Sequence, residues 1–133
     1  MQKTKIKIEF NVIADMFDLD EFSTAIGMTP DESWLKGEKI KNTNRTKLET
    51  CWTICVPYKE SFDVNDQLNE FLQRMGDLAD RLGQIREDFK VEYLISILIT
   101  IKENMSPAIY FEKEFLDFLS KSGTTFDIDL SID

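Results

Sequence analysis

The stretch "VEYLISILITIK" (residues 91–102) decides the fold of this chain, because apolar side chains alternate along its whole length. One face of the predicted strand carries Val91, Tyr93, Ile95, Ile97, Ile99 and Ile101. The opposite face still carries Leu94 and Leu98, and apolar side chains on both faces are typical of a strand inside a sheet. Residues 91–102 are therefore predicted to form a central β-strand.

Three further segments alternate between apolar and polar side chains, and each is predicted to be a half-buried strand. They are residues 5–13, 50–57 and 124–132. The last of these strands is predicted to contribute one apolar face to the core, and that face comprises Phe126, Ile128, Leu130 and Ile132. Together with residues 91–102, the pattern predicts four strands.

Two helix starts are predicted between the first and second strands. In "FDLDEF", Asp18 has the position of an N-cap and Glu21 that of its capping-box partner. Gly27 then stands where a left-handed residue would end the helix. The following "TPDE" repeats the start signal, so residues 29–32 are predicted to begin a second, short helical piece that delivers Trp34.

Residues 64–88 are predicted to form one long amphipathic helix. Its apolar seam consists of Leu68, Phe71, Met75, Leu78, Leu82, Ile85 and Phe89. Packing of this seam on the chain's own sheet is favoured over a two-helix coiled coil, so a monomer is expected rather than a dimer. Gly76 and Gly83 each weaken a helix by about 1 kcal/mol relative to alanine, so a bend or break is predicted near Met75.

These elements assemble into a single predicted α+β domain over residues 1–133. We expect a four-stranded, mainly antiparallel sheet with the helices packed on one face. Lys5 and Lys7 of the first strand could pair with Asp127 and Asp129 of the last, which would make those two strands neighbours. A ferredoxin-like strand order is therefore one candidate topology.

The charge of the chain limits its partners. It contains 25 acidic and 16 basic residues, which gives a net charge of −9 at pH 7. Such a charge repels a phosphate backbone and an anionic lipid surface, so neither nucleic acid nor a membrane is expected as a partner. The N-terminal residues alternate charged and apolar side chains and contain no secretory signal, so a cytoplasmic location is expected.

Residue types that carry much enzyme chemistry are missing. The chain has no histidine, which excludes imidazole bases and the zinc sites and nucleophile pairs that need one. Cys51 and Cys55 would lie about 13 Å apart along a strand, too far for a disulfide. The acids around Asp18 lack the spacing and glycine of a calcium loop. We therefore expect no catalytic residue, no cofactor, no metal site and no enzymatic activity.

The segment "WLKGEKIKNTNRTKLE" (residues 34–49) is the first candidate site. From Lys36 onward it carries five basic residues against two acidic ones, a net charge of +3 in an otherwise acidic chain. Two interpretations stay open. It is either a solvated connection in which Trp34 folds back onto the core, or a loop in which Trp34, Lys36 and Arg45 bind an anion or an acidic partner.

The outward face of the long helix is the second candidate site. Its positions are Asp66, Glu70, Gln73, Asp77, Asp80, Gln84 and Glu87, five of them carboxylates. Rows of this kind are often simply solvated. Yet Glu87 lies near the negative end of the helix dipole, where a basic residue would be more stable. A ridge that stays acidic there is what a docking surface for a basic protein would look like.

The order of these motifs resembles a known family. The segments "LDEFSTAIGMTPDESWLKGE", "CWTICV", "LNEFLQRMGDLADRLGQI" and "SPAIYFEKEFLDFLSKSGTTFDIDLSI" follow one another as in the bacterial family catalogued as domain of unknown function 4279. The similarity covers nearly the whole chain. It implies a compact α+β domain without an established activity, and a role as an immunity protein in toxin systems has been suspected for such domains.

Two functions from different classes follow. The first is a protein-binding module whose partner is a protein, and a basic toxin neutralised by an immunity protein would be one example. The ridge carboxylates would then steer the encounter. The alternative is a small-ligand-binding or enzymatic domain that uses the loop with Trp34, Lys36 and Arg45.

Overall fold

The computed structural model describes residues 2–133, which form one sheet and four α-helices. The strands are β1 (Lys5–Ala14), β2 (Glu32–Trp34), β3 (Thr50–Glu60), β4 (Glu92–Ile101) and β5 (Thr124–Ile132). The helices are α1 (Leu19–Ile26), α2 (Val64–Met75), α3 (Ala79–Phe89) and α4 (Lys113–Ser122), and a 3-10 turn (Gly76–Leu78) joins α2 to α3. The predicted α+β class is confirmed.

The sheet has the strand order β2-β3-β1-β4-β5, with β1 in the middle. β1 is antiparallel to both of its neighbours, β2 is antiparallel to β3, and only β4 and β5 are parallel. Alternate side chains of β1, β3 and β4 are buried in one cluster with side chains from all four helices. The predicted mainly antiparallel sheet, with its helices on one face, is thus confirmed.

The predicted long helix is interrupted at the predicted place. α2 ends at Met75, the 3-10 turn follows, and α3 starts at Ala79. The seam packs on the chain's own sheet, where the ring centroid of Phe71 lies 5.8 Å from that of Phe10 in β1. Of the seam residues, only Leu78 and Phe89 are partly exposed.

α1 begins and ends as the sequence indicates. The N–H of Glu21 donates to the Asp18 carboxylate at 2.9 Å, so Asp18 is the N-cap. Gly27 ends the helix with φ +76°, a left-handed conformation that costs glycine little.

The sheet has five strands and not four, and the prediction of a helical start at "TPDE" was wrong. Glu32–Trp34 is a short edge strand in which Ser33 lies opposite Trp52 of β3. Asp31 fixes this pairing, because its N–H donates to the carbonyl of Thr53 and its carboxylate accepts the N–H of Cys55, both at 2.8 Å. Hydrogen bonds to β3 take precedence here over a local helix-capping signal.

The predicted pairing of the first and last strands was also wrong. β5 lies beside β4 and not beside β1, so the ferredoxin-like neighbour relation does not hold. Lys7 forms an ion pair with Glu9 of its own strand at 3.3 Å instead of meeting Asp127 or Asp129. The connection through α4 is long enough to return the chain parallel to β4, which places β5 at the far edge.

The apolar face of β5 leaves the core after its first third. Phe126 packs against Phe111 and Phe115, with ring centroids 4.8 and 5.6 Å away. Ile128, Leu130 and Ile132, however, are 36, 53 and 74% exposed. The prediction of a fully core-facing strand was therefore wrong, because no helix within residues 2–133 covers its second half.

Candidate functional site

The first candidate site, the segment from Trp34 to Glu49, lies at the β2 edge of the sheet. Trp34 is half-buried and stands opposite Cys51 of β3. The ammonium of Lys47 lies 3.8 Å from the centre of its indole ring, the geometry of a cation–π contact. Lys47 was not among the predicted site residues, and hydrogen bonds of its backbone with Gly37 and Glu38 hold it in the loop that follows β2.

The structure brings together two of the three residues predicted for this loop. Trp34 and Arg45 both line an open depression of about 390 Å³, together with Lys47 and Leu48. Lys36 points elsewhere, since its ammonium pairs with the carboxylate of Asp15 at 2.5 Å. Of the three predicted residues, only Trp34 and Arg45 therefore lie at one site. Lys47 already covers one face of the Trp34 indole.

The second candidate site, which we call the ridge, runs along the outward side of α2, the 3-10 turn and α3. Two of its carboxylates have partners within the fold. Asp66 accepts a hydrogen bond from the Ser61 hydroxyl at 2.9 Å, and Glu70 pairs with Lys59 at 2.5 Å. At the other end, Glu87 lies 3.3 Å from the guanidinium of Arg86. These three residues therefore contribute less free charge than the sequence implies.

The middle of the ridge is different, because the arginines beside it turn away. Arg74 donates to the carbonyl of Cys55 at 3.2 Å, and Arg81 donates to the carbonyl of Ala25. Within residues 2–133, no basic side chain forms an ion pair with Asp77 or Asp80. Both carboxylates are exposed. The structure thus leaves a local, uncompensated negative charge at the 3-10 turn.

A groove of about 320 Å³ adjoins this turn and was missed by the sequence analysis. Its apolar lining includes Leu72, Ala79 and Phe118, and its polar lining consists of Glu114, Asp117 and Lys121. Glu114 and Asp117 stand three residues apart on α4, a spacing that places them on one face and was the available sequence signal. The ridge therefore continues across an apolar groove onto α4.

A depression of about 590 Å³ lies between the start of α1 and the residue after β2. It is lined by residues 16–20 and by Leu35. Its acids are Asp18, which caps α1, and Asp20 in the first helical turn. Because Asp18 is engaged as the N-cap, the depression offers a ligand mainly apolar surface and the exposed carboxylate of Asp20.

The two cysteines are poor nucleophiles. Both are free thiols, Cys51 buried and Cys55 half-buried. Burial raises the pKa of each thiol, and the neighbouring carboxylate of Asp31 raises that of Cys55 further. Raised pKa values leave little thiolate at neutral pH. Within residues 2–133, no group of three or more potential ligand side chains is arranged to hold a metal ion.

Among the helices of residues 2–133, none is long and apolar enough to cross a membrane.

Comparison with known proteins gives a family and no activity. No curated protein and no solved structure is significantly similar to the chain. A family description does match, and it covers residues 4–133, from the residue before β1 to the residue after β5. The chain therefore belongs to the family described as Domain of unknown function (DUF4279).

Proposed function

We propose that this protein is a cytoplasmic protein-binding module that docks a basic protein on the ridge. The observation that carries the proposal is the inward turn of Arg74 and Arg81, whose guanidinium groups bond to the backbone carbonyls of Cys55 and Ala25. Two cations that could have neutralised the ridge serve other elements instead. Asp77 and Asp80 are left for an external cation.

The surroundings of these carboxylates fit a protein better than a small ion. Glu114 and Asp117 add negative charge on the other side of a groove with apolar lining, and Lys121 there offsets only part of it. A protein surface can fill such a groove with an apolar side chain and place basic residues on its rim. The long-range field of the ridge would mainly raise the association rate.

A basic toxin is one kind of protein that an acidic ridge would bind. If this chain neutralises such a toxin by binding it, the chain is an immunity protein. The net charge of −9 supports an acidic inhibitor of a basic target. The cytoplasm, where thiols stay reduced, suits a chain with two free cysteines. The product of an adjacent gene is the first candidate for the partner, and co-expression would show whether this chain suppresses its toxicity.

The ridge is tested by reversing its central charges. Asp77→Lys with Asp80→Lys should leave the fold intact, since neither carboxylate forms an ion pair within residues 2–133 and the loss of an acid from a first helical turn costs only about 0.3–1 kcal/mol. Association with the isolated partner should slow by about tenfold or more at low salt, and its salt dependence should flatten. Stopped-flow or surface plasmon resonance at several salt concentrations measures both. The matched control is Glu32→Lys with Glu103→Lys, which changes net charge equally on other elements.

If both double variants slow association with the partner equally, net charge alone explains the effect, and the ridge is rejected as the docking surface. Unchanged association of the Asp77/Asp80 variant at low salt would reject the proposal outright. Circular dichroism and thermal unfolding of both variants establish that they fold.

A second candidate function is anion binding at the first site, where Trp34 and Arg45 line one depression. It ranks lower because Lys47 already covers a face of the indole, so a ligand would have to displace that contact. Trp52 is fully buried whereas Trp34 is half-buried, so a ligand at this site would change the fluorescence of Trp34. A change in Trp34 fluorescence on addition of a di- or tricarboxylate such as citrate would favour this candidate.

A further inference from the structure

β5 is a long outer edge of the sheet. It runs for nine residues and keeps one register throughout, and among residues 2–133 its partner strand is β4 alone. Natural edge strands are usually short or are interrupted by proline, lysine or a bulge, and these features prevent another chain from pairing with them. The segment from Thr124 to Ile132 contains no proline and no lysine.

The outer half of β5 also exposes an apolar row, formed by Ile128, Leu130 and Ile132. These residues lie opposite Ile97, Ile99 and Ile101 of β4 and therefore belong to the core side of the sheet. Their exposure rises from 36 to 74% along the strand. A strand placed beside β5 would extend the apolar face of the sheet and cover this row.

The backbone of β5 can accept such a strand. The N–H of Asp133 donates inward to the carbonyl of Ile101 at 3.0 Å. Because successive residues of a strand direct their backbone groups to opposite sides, the N–H and C=O groups of Ile128 and Leu130 point away from β4. They form the free hydrogen-bonding edge.

The open face of β5 bears the opposite chemistry. Asp127 and Asp129 alternate with the apolar row, and both are exposed. Within residues 2–133 neither forms an ion pair, whereas Asp133 pairs with Lys102. An added strand would therefore place its side chains alternately beside apolar residues and beside two carboxylates.

This charge pattern disfavours a second copy of the chain. Two copies that join through β5 about a two-fold axis pair antiparallel. If Ile128 faces its own copy, Asp127 of each chain stands opposite Asp129 of the other. A shift of the axis by one residue places Asp127 opposite Asp127 or Asp129 opposite Asp129, and an axis through Leu130 places Asp127 opposite Asp133. Like charges directly opposite each other are destabilising.

We propose that β5 binds an extended segment of a partner protein as a sixth strand, and that this segment alternates apolar residues with lysine or arginine. Its apolar side chains cover the row of Ile128, Leu130 and Ile132, and its basic side chains meet Asp127 and Asp129. Alternation satisfies both faces whichever way the segment runs. This surface lies on other elements than the ridge and does not rest on the function proposed there.

A synthetic peptide tests the proposal directly. The probe is a nine-residue peptide, capped at both ends, that alternates lysine with valine and so matches β5 in length. Two controls are a block peptide of the same composition and an alternating glutamate–valine peptide. Fluorescence anisotropy should give an affinity for the alternating lysine peptide about tenfold or more above that for either control. Amide shifts in NMR spectra should concentrate in residues 124–132.

Variants of β5 sharpen the test. Leu130→Pro removes an outward N–H that the fold does not use, and should abolish binding, whereas Leu130→Thr keeps that N–H and should retain part of it. Asp127→Lys with Asp129→Lys should invert the preference, binding the glutamate peptide above the lysine peptide. This charge-reversed variant keeps the proposal testable should the proline variant not fold.

Three outcomes would overturn the proposal: equal binding of the alternating and block lysine peptides, no inversion in the charge-reversed variant, and amide shifts centred on Asp77 and Asp80. Wild-type dimers joined through β5, found by sedimentation and cross-linking, would also overturn it, because a second copy of the chain would then occupy the edge.

The ridge variant separates the two proposals. Asp77→Lys with Asp80→Lys should bind the peptide as the wild type does, so a wrong proposal for the ridge and a wrong proposal for β5 give different results.

Discussion

The two edges of the sheet solve the same physical problem differently. The β2 edge is three residues long and is followed by a loop that places Lys47 on Trp34. The β5 edge is nine residues long, apolar on one face and bare. Short length and a basic loop protect the first edge, whereas the second edge carries only the charges of Asp127 and Asp129 on its open face. If β5 binds as proposed, the difference teaches that charge can select the class of partner that an uncovered edge accepts.

The β5 edge is anchored mainly at its start. Phe126 lies among Phe111 and Phe115, and the hydroxyls of Ser122 and Thr124 are 2.6 Å apart in a buried contact. Beyond this point the strand depends on its backbone pairing with β4 and on the ion pair of Asp133 with Lys102. The aromatic cluster is therefore the support on which the exposed edge rests.

The largest expected effect comes from removing that support. Phe115→Ala should lower the free energy of unfolding by about 3–5 kcal/mol, the usual cost of truncating a buried phenylalanine. Hydrogen exchange should show the loss of protection first in β5, while β2 and β3 stay protected. The control is Leu116→Ala at the neighbouring, 48% exposed position, which should cost little. Uniform loss of protection across the sheet would contradict local anchoring.

The next effect concerns the protected edge. Trp34→Ala should cost about 2 kcal/mol, less than a buried aromatic, because the ring is half-exposed and part of its contribution is the contact with Lys47. Urea unfolding measures the change. Lys47→Met keeps the apolar stem and removes the charge, and should cost about 0.5–1 kcal/mol. A Trp34→Ala cost near zero would mean that the loop does not protect this edge.

Much of the fold could be predicted because its signals are local. Alternation runs along β1 and β4 and along β3 as far as Val56, and Asp18 and Gly27 mark the ends of α1 by their own conformations. The break of the long helix lies at Met75 and Gly76, where low helix propensity contributes, although α3 continues through Gly83. Each of these properties depends on residues a few positions apart.

The remaining features depend on contacts between distant residues. β2 is too short for alternation to be seen, and it exists because Asp31 bonds to β3. The exposure of Ile128 and Leu130 depends on how far the helices extend over the sheet, which periodicity does not reveal. The free charge of the ridge depends on Arg74 bonding to Cys55, a residue nineteen positions away. The sequence indicated where the charged segments lie, but not which of their carboxylates have a basic partner in the fold.

The smallest expected effect tests whether charge is what keeps β5 from pairing with itself. Asp129→Lys places opposite charges face to face across a two-fold axis through Ile128, and each such pair contributes about 0.2–1 kcal/mol. Weak, concentration-dependent dimers should appear in sedimentation velocity. Asp127→Lys with Asp129→Lys restores like charges and should stay monomeric although it removes more negative charge. If the double variant dimerises more strongly, reduced net charge explains association, and the charges of Asp127 and Asp129 do not prevent β5 from pairing with a second copy.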